Sequence, residues 1–328
     1  MKKLLLGVFT IASLASCSQN EVMLDGTQKA IGFGPSQFGN SVTSRVADPL
    51  SNSVKLGVFA YQTTGGPTAL YINDILSYQT NAWKLNSIYY WAETNSALKL
   101  FAYGPFDNGG TATGITNSTC AVGSTPAFDY AVTGTAPNQT DVIVDLAGQT
   151  ADKTTVTFNL SHVLTQLKFQ AKLSASPNAQ LIAKIASIKV KAPSTAKFAI
   201  SSGAAQWTGH AVTNTDYTVV NTETSAITAS SAVVGNTLNL IPSSTAAVIE
   251  VTANAYDKTT GAKVGSKVTT IKCDGTGAPN VATWVAGTQV TYTLTLDPDN
   301  IAKGSGTAIE FGTPTVNGWT GGSGSISM

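Results

Sequence analysis

Charge is scarce in this sequence: Asp, Glu, Lys and Arg make up only 11% of its 328 residues. The 19 basic and 18 acidic side chains nearly cancel, for a formal net charge of +1. Such a chain offers no basic field to nucleic acid or to an acidic lipid surface, so no nucleic-acid partner is expected. Histidine occurs only as His162 and His210, and cysteine only as Cys17, Cys120 and Cys273. No Cys-x-x-Cys pair, His-Glu-x-x-His helix, P-loop or dinucleotide glycine fingerprint is present. The usual spaced signatures of metal, nucleotide and dinucleotide sites are therefore missing. Neither histidine is accompanied by a Gly-x-Ser-x-Gly elbow, and the carboxylates are too few and scattered to nominate a glycosidase pair. Asp297-Pro298-Asp299-Asn300 has the oxygens to bind calcium, but a strand-ending turn needs the same residues and is the preferred reading. No catalytic residue, metal or cofactor is expected, and nothing argues for an enzyme.

Alternation with a period of two is abundant, the mark of strands with one buried face. Leu167, Phe169, Ala171 and Leu173 alternate with Lys168, Gln170 and Lys172. Val290, Tyr292, Leu294 and Leu296 alternate with Gln289, Thr291, Thr293 and Thr295, and Val156, Phe158 and Leu160 with Thr155, Thr157 and Asn159. Similar segments lie at 54–61, 87–91, 98–103, 141–145, 197–200, 237–241, 248–256 and 264–271. Turn signals separate them, such as Thr64-Gly65-Gly66-Pro67 and Asn108-Gly109-Gly110. Many short strands punctuated in this way predict antiparallel sandwiches rather than a parallel α/β sheet.

Helix is scarce. Leu181, Ile182, Ile185 and Ile188 have helical spacing, yet Ile188 and Val190 alternate with Lys189 and Lys191, and the β-branched content favours a strand. Residues 161–166 read as a single helical turn capped by Ser161, and the domain boundary is placed there. His162 at that junction reads as a packing or capping residue, and His210 as a loop residue. Cys120 and Cys273 lie about 150 residues apart, which favours two unpaired or buried thiols over a bridge. Tyr89, Tyr90 and Trp91 suit sugar stacking, but the buried face of a strand explains them more simply.

The N-terminus has a distinct pattern. Lys2 and Lys3 precede a short apolar run, and Leu14-Ala15-Ser16 leads into Cys17. The run is too short for the ~20 residues a membrane span needs, and no other stretch comes near that length. Its flanks are those of a secretion signal over residues 1–16. Leu-Ala-Ser-Cys resembles the lipobox of bacterial lipoproteins, which implies acyl chains (palmitate among them) on Cys17 and attachment to the outer membrane.

Several blocks, in order, resemble the fimbrillins, pilin subunits of type V pili in Gram-negative gut and oral bacteria. After the lipobox come a candidate first strand near Ile31, then Arg45, then the strand at 54–61. Ile88-Tyr89-Tyr90-Trp91 with 98–105, the stretch from Phe158 through His162 to Phe169, 287–296, and a closing Val316-Asn317-Gly318-Trp319 complete the likeness. The resemblance implies an all-β chain of two transthyretin-like (Greek-key) antiparallel β-sandwich domains, over residues 46–163 and 164–328. It implies a lipidated pro-segment at 17–45, cut by an arginine-specific protease between Arg45 and Val46.

The resemblance also implies a surface-exposed precursor that becomes a fimbrium subunit supporting adhesion. Its partners would be other fimbrial subunits, the outer membrane through the lipid on Cys17, and host or bacterial surface ligands. Loss of the first strand would open a groove for a neighbour's strand. The candidate donor is the segment 307–319, with Ile309, Phe311, Val316 and Trp319. The alternative is a surface lipoprotein that binds glycans or host ligands and does not polymerise.

Overall fold

A computed structural model of the chain describes residues 28–38, 50–64, 69–92, 97–106, 113–132, 136, 139–242, 247–273 and 284–319. Cys17, Arg45 and Val46 lie outside the described residues. Nearly every element described is a strand, as the alternation predicts, and the strands form four sheets.

The first sheet runs in spatial order Gln37–Phe38, Asn159–His162, Ile143–Val144, Leu98–Gly104, Leu56–Gln62, Ile72–Gln79, Ala82–Leu85. Its central strands are buried on both faces. Leu56, Val58 and Ala60 join one apolar cluster with Trp83, Leu100 and Phe158, whereas Phe59, Phe101 and Tyr103 join another. Strands covered on both sides read as apolar runs, which is why Leu-Gly-Val-Phe-Ala-Tyr and Leu-Lys-Leu-Phe-Ala-Tyr alternate so weakly.

The second sheet orders Ala232–Val233, Thr165–Leu173, Thr288–Leu296 and Ile309–Phe311, and Thr315–Gly318 also pairs with Thr288–Leu296. The third orders Asn214–Val220, Leu181–Pro193, Val248–Asp257 and Lys263–Lys272. These two share one core, in which Phe169, Val290 and Tyr292 pack with Ile185, Ile188, Ile249 and Val251.

The fourth sheet joins the two halves of the sequence. It orders Ala204–Thr208, Thr195–Ser201, Ala127–Ala131 and Ile115–Thr119. Thr195–Ser201 pairs with Ala127–Ala131 from Thr195↔Ala131 to Ala199↔Ala127. Phe128 and Phe198 stack at 4.5 Å between ring centroids. The chain passes from the first sheet to the second between His162 and Thr165, and hydrogen bonds of the fourth sheet join residues on either side of that passage.

Local readings differ from the structure at four places. Residues 161–166 are no helical turn: Ser161 and His162 pair with Val144 and Ile143, and Thr165 already belongs to the next strand. Val163 and Leu164, fully buried between them, are drawn into the core instead of a solvated turn. Residues 87–91 make only an isolated bridge, Ala30↔Tyr90. Asp297 starts a short helix, Pro298–Lys303, accepting hydrogen bonds from Asp299 N and Asn300 N, and Gly304 closes it at φ 65°. Asp at the cap, Pro at the first position and Gly after the end are the ordinary signals for such a helix. Finally, most pairs are antiparallel, but the two most regular strands, Thr165–Leu173 and Thr288–Leu296, run parallel over nine pairs. The whole third sheet lies between them in sequence, ample chain for a parallel crossover.

Candidate functional site

The seam of the first sheet is the feature that stands out. Residues 28–38 lie between Ala82–Leu85 and the following residues 89–91 on one side and 156–160 on the other. On one side Trp91 N donates to Lys29 O (3.0 Å), Ile31 N donates to Tyr89 O (2.8 Å), and Phe33 bridges Trp83. On the other, Val156 N donates to Gly32 O (2.9 Å), Gly34 N to Val156 O (2.8 Å), and Gln37–Phe38 runs parallel to Asn159–Leu160. Phe33 stacks on Phe158 at 6.0 Å, and with Ile31 covers the cluster that holds Trp83, Trp91 and Leu160.

Residues 28–38 therefore cross the seam as an extended segment, bonded to one edge over 29–33 and to the other over 32–38, with Ile31 and Phe33 packed inward. Without them, backbone groups on both sides lose partners at about 1–3 kcal/mol each, and an apolar groove faces water. The sequence pointed to a strand near Ile31. It gave no sign of which elements that strand would join, because both partners are distant in the chain.

The C-terminal segment divides into two parts. Ile309–Phe311 is the end strand of its sheet, with Leu294↔Phe311 and Leu296↔Ile309 in register. Ile309 and Phe311 are only 4% and 5% exposed, and Phe311 meets Tyr292 edge to face. Thr315–Gly318 pairs with Thr288–Thr291, but all four of its side chains are exposed, Val316 among them. Trp319 anchors that stretch: its N–H donates to Gly287 O (2.7 Å), and its indole lies flat on the His162 ring at 4.1 Å. Ile309, Phe311, Val316 and Trp319 thus lie together along Thr288–Leu296 and its approach, in a different sheet from residues 28–38.

His162 is buried, and its Nδ1 lies 2.6 Å from Asp141 Oδ2. With Asp141 on one edge and Trp319 over its face, it has the packing role expected of it. His210 Nε2 meets Pro242 O at 3.0 Å. Trp91 is 2% exposed, so it belongs to the core and is no sugar platform. Cys120 and Cys273 are buried in separate clusters and are not bridged to each other, and burial pushes the Cys120 thiol up to about 11. Among the described residues, no group of three or more His, Cys, Asp or Glu is placed to hold a metal ion, and no helix is long and apolar enough to cross a membrane.

The fold has solved counterparts. The crystal structure of a fimbrial protein from Bacteroides vulgatus superposes with a TM-score of 0.65 at 18% identity, covering 89% of this chain and 99% of that one. Proteins provisionally assigned to cell adhesion from Bacteroides uniformis and Bacteroides ovatus give TM-scores of 0.53 and 0.54 at 16% and 15% identity. Each of the two covers 89% of this chain, and 99% and 98% of its own. No curated protein matches the sequence. The profile of one family, described as fimbrillin-like, matches residues 44–319, from just before the first sheet's central strands to Trp319. The chain belongs to the fimbrillin-like family.

Proposed function

We propose that this chain is a structural subunit of a cell-surface fimbria, exported as a lipoprotein on Cys17 and polymerised by strand exchange after a cut between Arg45 and Val46. Family membership and the likeness to a fimbrial protein support the fimbrial and adhesive part of this reading. The observation that carries the assembly step is the seam. Residues 28–38 lie upstream of Arg45, so one cut there would free the strand that closes the first sheet. An open seam is an acceptor for an extended segment, the geometry of β-augmentation.

The donor in this reading is the C-terminal segment with Ile309, Phe311, Val316 and Trp319. Because groove and donor are different surfaces of the chain, the contact is head-to-tail, and in this reading it repeats without closing to build a filament. The two expected sandwich domains, 46–163 and 164–328, would then supply acceptor and donor respectively.

Brief trypsin treatment of purified residues 17–328 tests this. The expected result is one early cut after Arg45, followed by ladders of dimers, trimers and longer species on gels of unheated samples. Arg45→Ala should block both. A chain that is cut after Arg45 and stays monomeric at high concentration would defeat the proposal.

A further inference from the structure

The strand that seals the first sheet and the end strand of the second carry nearly the same five residues. Ala30-Ile31-Gly32-Phe33-Gly34 and Ala308-Ile309-Glu310-Phe311-Gly312 differ only at the central position. In both, the isoleucine and phenylalanine face a core, Ile31 and Phe33 on the first sheet and Ile309 and Phe311 on the second.

The one difference falls where the seam is permissive. A Cβ added at Gly32 meets nothing within 4 Å, so Glu310 has room there. The shared glycine falls where the seam is strict. A Cβ at Gly34 would lie 2.7 Å from Thr157 Oγ1 and 3.4 Å from Thr155 Cγ2. At its own place Gly312 answers no such demand: its Cβ would lie 3.5 Å from Thr293 O, an ordinary contact, and its φ is not positive. Glycine at 312 is therefore unexplained by the position it occupies and favoured by the position it matches.

The backbone bonds carry over as well. The seam uses carbonyls at Lys29, Gly32 and Ser36 and N–H groups at Ile31 and Gly34. The matched residues Thr307, Glu310, Pro314, Ile309 and Gly312 provide each of these. The one proline falls opposite Ser36, whose carbonyl is what Leu50 N bonds.

We propose that residues 306–316 of a second copy of this chain fill the seam left by 28–38, with Ile309 at the Ile31 site, Phe311 at the Phe33 site and Gly312 against Thr157. This rests on the strand-exchange reading above and adds to it the partner and the register. At home Ile309–Phe311 is the end strand of its sheet among the described residues, whereas the matching residues of the seam are bonded on both edges, at sites where Ile31 and Phe33 are partly buried against the first core. Their departure uncovers the edge of Tyr292 against which Phe311 packs.

The test uses the precursor, residues 17–328, cut after Arg45. Gly312→Ala is expected to leave the melting temperature of the uncut precursor unchanged and to slow ladder formation by about tenfold, from overpacking against Thr157. Adding Thr157→Ala should restore the rate, and Glu310→Gly should form ladders as fast as the wild type. A synthetic 306–316 peptide should block ladder growth, and the same peptide with Gly312→Ala should fail to, independently of how any variant folds. Ladders and peptide inhibition both indifferent to Gly312→Ala overturn the register and leave strand exchange standing. A cut wild-type chain that forms no ladders overturns strand exchange and this proposal together. Ladders that require a different subunit overturn the second copy as partner.

Discussion

Asp145 is fully buried and ties three parts of the first sheet together. Its carboxylate accepts from Gly148 N (2.9 Å), Gln149 Nε2 (2.6 Å) and Asn159 N (3.2 Å). Burial pushes its pKa above the ordinary value, although these hydrogen bonds pull the other way. The folded chain therefore holds this proton more tightly than the unfolded one. The resulting stabilisation is complete below the unfolded value of about 3.9 and is lost as pH rises through the raised folded value. Asp145→Asn has no such titration. The melting temperature of the wild type relative to Asp145→Asn is thus expected to fall as pH rises above the unfolded value of about 3.9, and a constant difference would contradict the assignment. None of this was legible in the sequence, since Asp145 is one carboxylate among 18 acidic residues and only the fold buries it.

At the scale of elements, strands with one buried face were read closely from alternation. Thr165–Leu173, Val248–Asp257, Lys263–Lys272 and Thr288–Leu296 fall within one or two residues of the expected segments. Strands buried on both faces, and short ones such as Ile115–Thr119 and Ala204–Thr208, gave too little pattern to be placed. The two C-terminal strands also differ in what holds them. Thr315–Gly318 is kept by one ladder and the Trp319–His162 stack, an aromatic contact worth about 0.5–1.5 kcal/mol, whereas Ile309–Phe311 is embedded in the core. Native-state hydrogen exchange should find the amides of 315–318 opening well before those of 309–311. Trp319→Ala should speed the first group and leave the second unchanged; equal acceleration of both would show that the segment opens as one piece.

For the whole molecule the fourth sheet decides the behaviour. Phe198 comes from the second half of the chain and stacks on Phe128 from the first, with Trp207 at 5.1 Å against its edge. Removing one half would uncover this aromatic cluster, so the halves are expected to unfold in a single transition. Phe198→Ala should cost about 3–5 kcal/mol and lower that one transition as a unit. Calorimetry that resolves two independent peaks in the wild type would contradict the coupling.

The sequence by itself determined what composition and local periodicity can encode: an all-β chain, few charges, no spaced catalytic or metal motif, and the order of blocks that marks the fimbrillin-like family. It also held both copies of the Ala-Ile-x-Phe-Gly strand. Only the tertiary structure decided what those copies mean. Whether a side chain at 34 is crowded, at 32 unopposed and at 312 in ordinary contact depends on Thr157, Thr155 and Thr293, brought alongside by strand pairing. The shared fourth sheet, the parallel pair and the seam closed by residues 28–38 are likewise contacts between residues far apart in the chain. Period-two alternation fixes which face of a strand is buried, and leaves open which strand lies beside it.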